Sequence, residues 1–267
     1  MNTLELTLGI IVAGLWQGGA FGRLAAAAEA AQVMRDPASM CSLVLSLDGE
    51  KDWRLAPDPK NVGRVERWFE QPRPDARPTK VPWIIQDTFV GYHGVAWFWR
   101  EFVPPPNPHR DGRYLLRFWA VDYLAEVWVN GVVVGTHEGG EDPFVLDVTA
   151  AIRPGATNRV AVRVLNPTQE PIDGILLAET PRRNKTAPYT PGSDFNYGGI
   201  TDSVDLLAVP PVRVEDLFVR PDPKTGQVHI QANLRNAGPK PNRVCLGFTI
   251  APAASGDLID DFVGDNF

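Results

Sequence analysis

Short apolar runs separated by turn residues, with no run of helical period, set the first limit on what this chain can become. In residues 95–103, Val95, Trp97 and Trp99 alternate with Ala96, Phe98 and Arg100, so large apolar groups point both ways. Such a strand belongs inside a sheet that is covered on both faces. Pro104-Pro105-Pro106 ends it, because proline cannot donate to a ladder. An earlier run, 42–47, stops at Asp48-Gly49, and later ones follow at 114–121, 125–129, 132–134, 144–148 and 160–165. Asn130-Gly131 stands between two β-branched runs and predicts a hairpin whose type I′ turn needs positive φ twice. Strands recur roughly every 10 to 15 residues, which selects an antiparallel sandwich or jelly roll over an alternating β/α fold. The 24 glycines and 25 prolines supply the many turns this requires.

A second series begins near Pro210-Pro211, with runs at 214–219, 228–234 and 244–250. It resembles the start of an immunoglobulin-like sandwich, which takes about seven strands. Half a sandwich leaves an unpaired edge and an open apolar face, so a longer natural protein or ancestor is expected. The Pro-, Arg- and Asp-rich stretch 54–82 reads as a long surface excursion. At the amino terminus, 6–16 is apolar except for Thr7 and leads to Ala28-Glu29-Ala30. That order fits the apolar region and cleavage site of a secretory signal, although Glu5 stands where a positive charge is usual. A mispredicted start or a loosely docked helix is the alternative. The apolar run is too short for a membrane span. The reading is therefore all-β: a leader at 1–30, a jelly-roll sandwich at 41–210 and a truncated immunoglobulin-like sandwich at 211–267. Periplasmic or secreted location is expected if the leader is real, and cytoplasmic otherwise.

The net charge of −6 gives no basic patch, so no nucleic-acid partner is expected. Cys41 and Cys245 lie far apart with no CxxC pair; they read as buried thiols, with one disulfide open as the alternative. His93, His109, His137 and His229 are scattered and read as ordinary surface or loop histidines. Glu138, Glu141 and Asp142 flank Gly139-Gly140; they offer oxygen ligands for calcium, but a solvated acidic loop is the simpler reading. No cofactor and no metal site is expected, and no pair of carboxylates is singled out by spacing. Tryptophan is the unusual residue, with seven of the eight between Trp53 and Trp128. An indole stacks on the C–H face of a pyranose and offers one directed hydrogen bond. Trp97, Trp99, Trp119 and Trp128 fall in predicted strands and are assigned to the core. Trp53, Trp68 and Trp83 fall in predicted loops and are the candidates for a carbohydrate ligand.

Three stretches carry a family resemblance. Gly91-Tyr92-His93-Gly94-Val95-Ala96-Trp97-Phe98-Trp99-Arg100-Glu101-Phe102 resembles a strand of glycoside hydrolase family 2. Leu116 to Tyr123, Val127-Trp128-Val129-Asn130-Gly131 and Gly135-Thr136-His137-Glu138-Gly139-Gly140 resemble that family's next signature. Asp194-Phe195-Asn196-Tyr197-Gly198-Gly199-Ile200 resembles the stretch closing the first domain of its β-glucuronidase-like members. The resemblance spans about residues 45 to 210. It implies a galactose-binding-like jelly roll, then an immunoglobulin-like domain, then a (β/α)8 barrel that holds both catalytic glutamates, one in an Asn-Glu pair. This sequence has no Asn-Glu pair and no residues for a barrel of about 250. The resemblance thus implies a non-catalytic accessory part of an enzyme cleaving β-linked sugars, with no catalytic residue of its own and the barrel as its missing partner. It also implies that Asp194 and Asn196 touch substrate, and that Gly198-Gly199 allow close backbone approach. A free carbohydrate-binding module and an interaction protein that pairs or dimerises through residues 212–250 are the competing readings.

Overall fold

A computed structural model describes residues 6–14, 43–181, 196–242, 244–252 and 260–264. Among them, eighteen strands accompany only short helical turns, at Trp68–Glu70, Ile85–Thr88 and Leu177–Glu179. None of the described helices is long and apolar enough to cross a membrane. The chain divides into two compact units.

In the smaller unit, strand β1 (Leu6–Gly14) pairs antiparallel with a later strand, Val244–Pro252. Residues 6–14 were expected in a leader. Ile10, Ile11 and Val12 are β-branched, so the run suits a strand as well as an apolar signal segment.

The larger unit comprises Leu43–Asn107 and Arg113–Ala208. Its first strands are β2 (Leu43–Ser46), β3 (Gly49–Pro57), β4 (Arg77–Val81), β5 (Trp83–Ile84) and β6 (Gly94–Phe102). Then come β7 (Arg113–Phe118), β8 (Val121–Asp122), β9 (Leu124–Val129) and β10 (Val132–Glu138). The set ends with β11 (Phe144–Asp147), β12 (Asn158–Asn166), β13 (Gly199–Ile200) and β14 (Val204–Val209). They build a six-stranded sheet, β10-β9-β12-β6-β3-β4, a four-stranded sheet, β11-β7-β14-β2, and a small one, β5-β13-β8. The described strand pairs are antiparallel. Asn130 and Gly131 turn between β9 and β10 at φ 51° and 81°, the two positive values expected of the hairpin.

Alternation along the strands gives the six-stranded sheet two covered faces. Phe98, Val127 and Val162 face Leu116, Phe118 and Leu206 of the four-stranded sheet in one buried cluster. Val95, Trp97, Trp99, Trp128, Ala161 and Leu165 form a second buried cluster on the opposite face. Its cover comes from Trp68, with Val62, Phe69 and Ala76 packed partly buried against it. The stretch 54–82 is therefore no surface excursion: it completes β3, adds β4 and roofs the second core. Its apolar residues follow no period, because a roof of loop and single helical turn repeats neither every 2 nor every 3.6 residues. Buried Asp58 pins the roof, accepting from the Val62 and Gly63 amides at 2.9 and 2.8 Å and from Trp97 Nε1 at 3.1 Å.

The smaller unit continues with β15 (Val212–Asp222), β16 (Gln227–Asn236), β17 (Val244–Pro252) and β18 (Asp260–Gly264). β15 pairs with β16, and β17 lies between β1 and β18. Every residue of the β15–β16 hairpin is partly or fully exposed.

Candidate functional site

Strand pairing builds one polar corner. Asn166 ends β12 opposite Gly94, the first residue of β6, which brings the preceding Tyr92-His93 against it. Asn166 Oδ1 accepts from Gln86 Nε2 at 2.9 Å and lies 2.9 Å from His93 Nδ1. A proton on Nδ1 satisfies that contact. The other end of the Asn166 amide donates to Asn196 Oδ1 at 2.9 Å. Asn196 Nδ2 in turn donates to the Pro167 carbonyl at 2.6 Å. Gln86 also donates to the Tyr92 carbonyl at 2.7 Å and accepts from the Gly198 amide at 3.3 Å. Four side chains from three chain segments thus interlock around residue 196.

The glycines beside it permit the closeness. A Cβ on Gly198 would stand 2.5 Å from Asn166 Cβ, and one on Gly199 (φ 144°) 2.6 Å from the Trp83 carbonyl oxygen.

Beside the corner opens a cleft of about 480 Å³, lined in part by Asp58, Asn61, Tyr92, His93, Thr168 and Asp173. Tyr92 donates to the Val95 carbonyl at 2.5 Å, and burial pushes its phenol up to about 12, so it stays a neutral donor. Asn61 and Asp173 belong to an ion network on the outer face of the six-stranded sheet. Wholly buried Arg163 donates to Glu126 at 2.8 Å, Asn61 at 2.7 Å and Asp173 at 2.5 Å. Arg64 grips the same Glu126 with two nitrogens and reaches Asp173 at 2.9 Å. Two arginines balance two carboxylates. Hydrogen bonding to Glu126 raises the Arg64 pKa, whereas burial lowers that of Arg163. For Asp173 burial pushes upward, but Arg64, Arg163 and Asn61 together outweigh it and hold the carboxyl below its ordinary range. Carboxylates locked to arginines are poor general acids, so this cleft is built to hold a shape and not to transfer protons.

The residues singled out from sequence fall in different places. Asn196 joins the corner with both ends of its amide engaged, which makes it an anchor. Asp194 lies outside the described residues. Trp53 sits in β3 and not in a loop; it is wholly buried, and its Nε1 donates to the Leu47 carbonyl at 2.7 Å, so no ring face is open to a sugar. Trp68 is buried in the roof, with its Nε1 on Glu66 at 2.8 Å and the Arg73 guanidinium over its ring. Trp83 alone of the three is exposed, at 44%. Trp97, Trp99 and Trp128 are core, but Trp119, expected there, lies between β7 and β8 and is 41% exposed. His93 is a corner residue and His137 stacks on Phe144 at 4.3 Å, so neither is an ordinary surface histidine. Gln86 and Asn166 went unread, because single amides carry no motif. Among the described residues no cluster of three metal-ligating side chains occurs.

Comparison with known proteins places this geometry. Residues 44–210 match the model of the glycosyl hydrolases family 2 sugar binding domain. The chain is 34% identical over 181 residues to a β-glucuronidase of Paenibacillus borealis, covering 64% of this chain and 30% of that protein. It is 30% identical over 194 residues to the β-glucuronidase of Rattus norvegicus, again covering 64% and 30%. The human β-glucuronidase is 29% identical over 201 residues, covering 67% and 31%. The chain thus spans about 30% of the length of the curated relatives it matches. A structure of Ruminococcus gnavus β-glucuronidase in complex with uronic isofagomine shares the fold, with TM-score 0.59 and 23% identity over 85% of this chain and 38% of that one. With more than half its length matched by the family model, this chain belongs to glycosyl hydrolase family 2 and carries that family's sugar binding domain.

Proposed function

We propose that this chain is the non-catalytic, scaffolding and sugar-binding part of a β-glucuronidase-like hydrolase acting on β-linked sugars. The observation that carries the reading is the match of residues 44–210 to the sugar binding domain, in a chain spanning about 30% of its β-glucuronidase relatives. The ion network supports it, since its carboxylates are held by Arg64 and Arg163 and leave no acid/base pair there for glycoside cleavage. In this reading β15, β16 and β17 begin an immunoglobulin-like sandwich, and Asp194 reaches toward a sugar from a backbone anchored at Asn196. The test is hydrolysis of chromogenic β-glucuronides, β-galactosides and β-mannosides by the purified chain. No turnover is expected. Turnover that is abolished by replacing one of this chain's own acids would overturn the reading.

A second reading, a free carbohydrate-binding module, is favoured by the exposed ring of Trp83. Calorimetric titration with the same sugars separates the two: a heat of binding lost in Trp83→Ala supports the module, and none from folded protein removes it.

A further inference from the structure

Trp83, Trp119 and Tyr197 are 44%, 41% and 38% exposed. Among the described residues of the larger unit, no other aromatic side chain is exposed. All three belong to the small sheet or its immediate flanks. Trp83 opens β5 opposite Ile200, Tyr197 precedes β13 by two residues, and Trp119 precedes β8 by two. Ile200 and Val121 of the same sheet are wholly buried in the core between the large sheets. The aromatic rings are what this sheet leaves uncovered.

The patch is already prepared for covering. Trp119 Nε1 donates to Asp205 Oδ2 at 3.0 Å, and Arg117 donates to the same oxygen at 2.8 Å while lying 4.4 Å from the centre of the indole. Lys80 Nζ sits 3.9 Å from the centre of the Trp83 ring. Polar atoms paired within the unit are not orphaned when a partner arrives. Trp, Tyr and Arg are also the residue types that concentrate binding energy at the centre of protein interfaces. For a sugar the arrangement is less suited. Each indole has a cation over one face, and the Trp119 N–H is committed. What remains is apolar ring surface, about 100 Å² on each tryptophan.

We propose that this aromatic patch is the docking surface for the catalytic portion that the β-glucuronidase relatives carry beyond the part matched here. The proposal rests on the function inferred above. The occupant follows from length: the relatives are about three times as long as the region they share with this chain, so a body large enough to bury the patch accompanies the domain in them. Three half-exposed aromatics supply the centre of a contact that would bury about 800 Å² on each partner.

The test joins the full chain to the part of the Paenibacillus borealis β-glucuronidase that follows its matching segment. Hydroxyl-radical footprinting, read residue by residue by mass spectrometry, compares the chain alone with the fusion. Oxidation of Trp83, Trp119 and Tyr197 should fall about fivefold or more in the fusion, as a water-excluding interface requires. Val65 and Val90, exposed at 86% and 92%, should not change. Undiminished oxidation of the three aromatics overturns the docking. So does protection in the chain alone that grows with protein concentration, which assigns the patch to a second copy, or that appears on adding a glucuronide, which assigns it to sugar. Hydrolysis of a chromogenic β-glucuronide by the fusion reports separately: an active, unprotected fusion sinks the docking alone, and a protected, inactive one sinks the hydrolase reading alone.

Discussion

Replacing Trp97 by alanine tests whether the second core holds the domain together. Trp97 is wholly buried, its ring centre lies 5.1 Å from Trp128 and 6.3 Å from Trp99, and its N–H reaches Asp58 at 3.1 Å. Truncation removes about 200 Å² of buried aromatic surface, or about 5 kcal/mol at 25 cal/mol per Å². A denatured chain that already hides some of that area brings this to about 4 kcal/mol. The lost ring contacts and the hydrogen bond to buried Asp58 add back about 1 kcal/mol. The sum of about 5 kcal/mol corresponds to a melting shift of about 10 to 20 °C in a domain of this size. Urea unfolding followed by circular dichroism measures it. Trp97→Phe, which keeps a ring and loses only the N–H, should cost about 1 to 2 kcal/mol. Trp83→Ala, at a site already 44% exposed, should cost under about 1 kcal/mol. If Trp97→Ala and Trp83→Ala agree within about 1 kcal/mol, the outer face of the six-stranded sheet is not a core and the reasoning fails.

Arg163→Met should destabilise by about 3 to 5 kcal/mol, because Glu126 and Asp173 lose the buried half of their counter-charge; adding Glu126→Gln should recover part of it, read by the same unfolding assay. Asp173 has a folded pKa below its ordinary value, so its contribution is complete above about pH 4 and fades as the pH falls through the folded pKa; Asp173→Asn should flatten the stability profile in that acidic window and leave its slope unchanged at neutral pH. Gly199→Ala should cost about 2 to 4 kcal/mol, since the new Cβ meets the Trp83 carbonyl at 2.6 Å with φ at 144°; a melting curve within about 1 °C of the parent would show that the small sheet yields freely.

The strands were legible wherever side chains alternate against a covered face. The run 95–103 shows both faces apolar and is observed as β6, and Asn130-Gly131 turns as its chemistry demands. β4 was missed because Arg77 and Pro78 disguise an edge strand that buries only Thr79 and Val81. Trp53 was misplaced for a related reason: its strand, β3, carries Glu50, Lys51, Asp52 and Arg54 around it, so charge hides a residue that tertiary packing buries completely. Trp119 erred the other way, since a tryptophan at the end of an apolar strand gives no sign that the chain turns there. The corner could not be read at all. Gln86, His93, Asn166 and Asn196 are distant in sequence, and only the pairing of β6 with β12 and the approach of the 196–198 segment bring them together.

Strand β12 runs between β9 and β6, bonded along nearly its whole length to both, and Asn166 is its last residue. The amide that grips Asn196 is therefore mounted on the stiffest beam in the molecule. Loosening it would mean unzipping two ladders at once. Whatever arrives at that end meets a handle set before contact, so little freedom is left to be frozen at the encounter. Recognition there should be governed by shape and desolvation, with only a small share of ordering in its entropy.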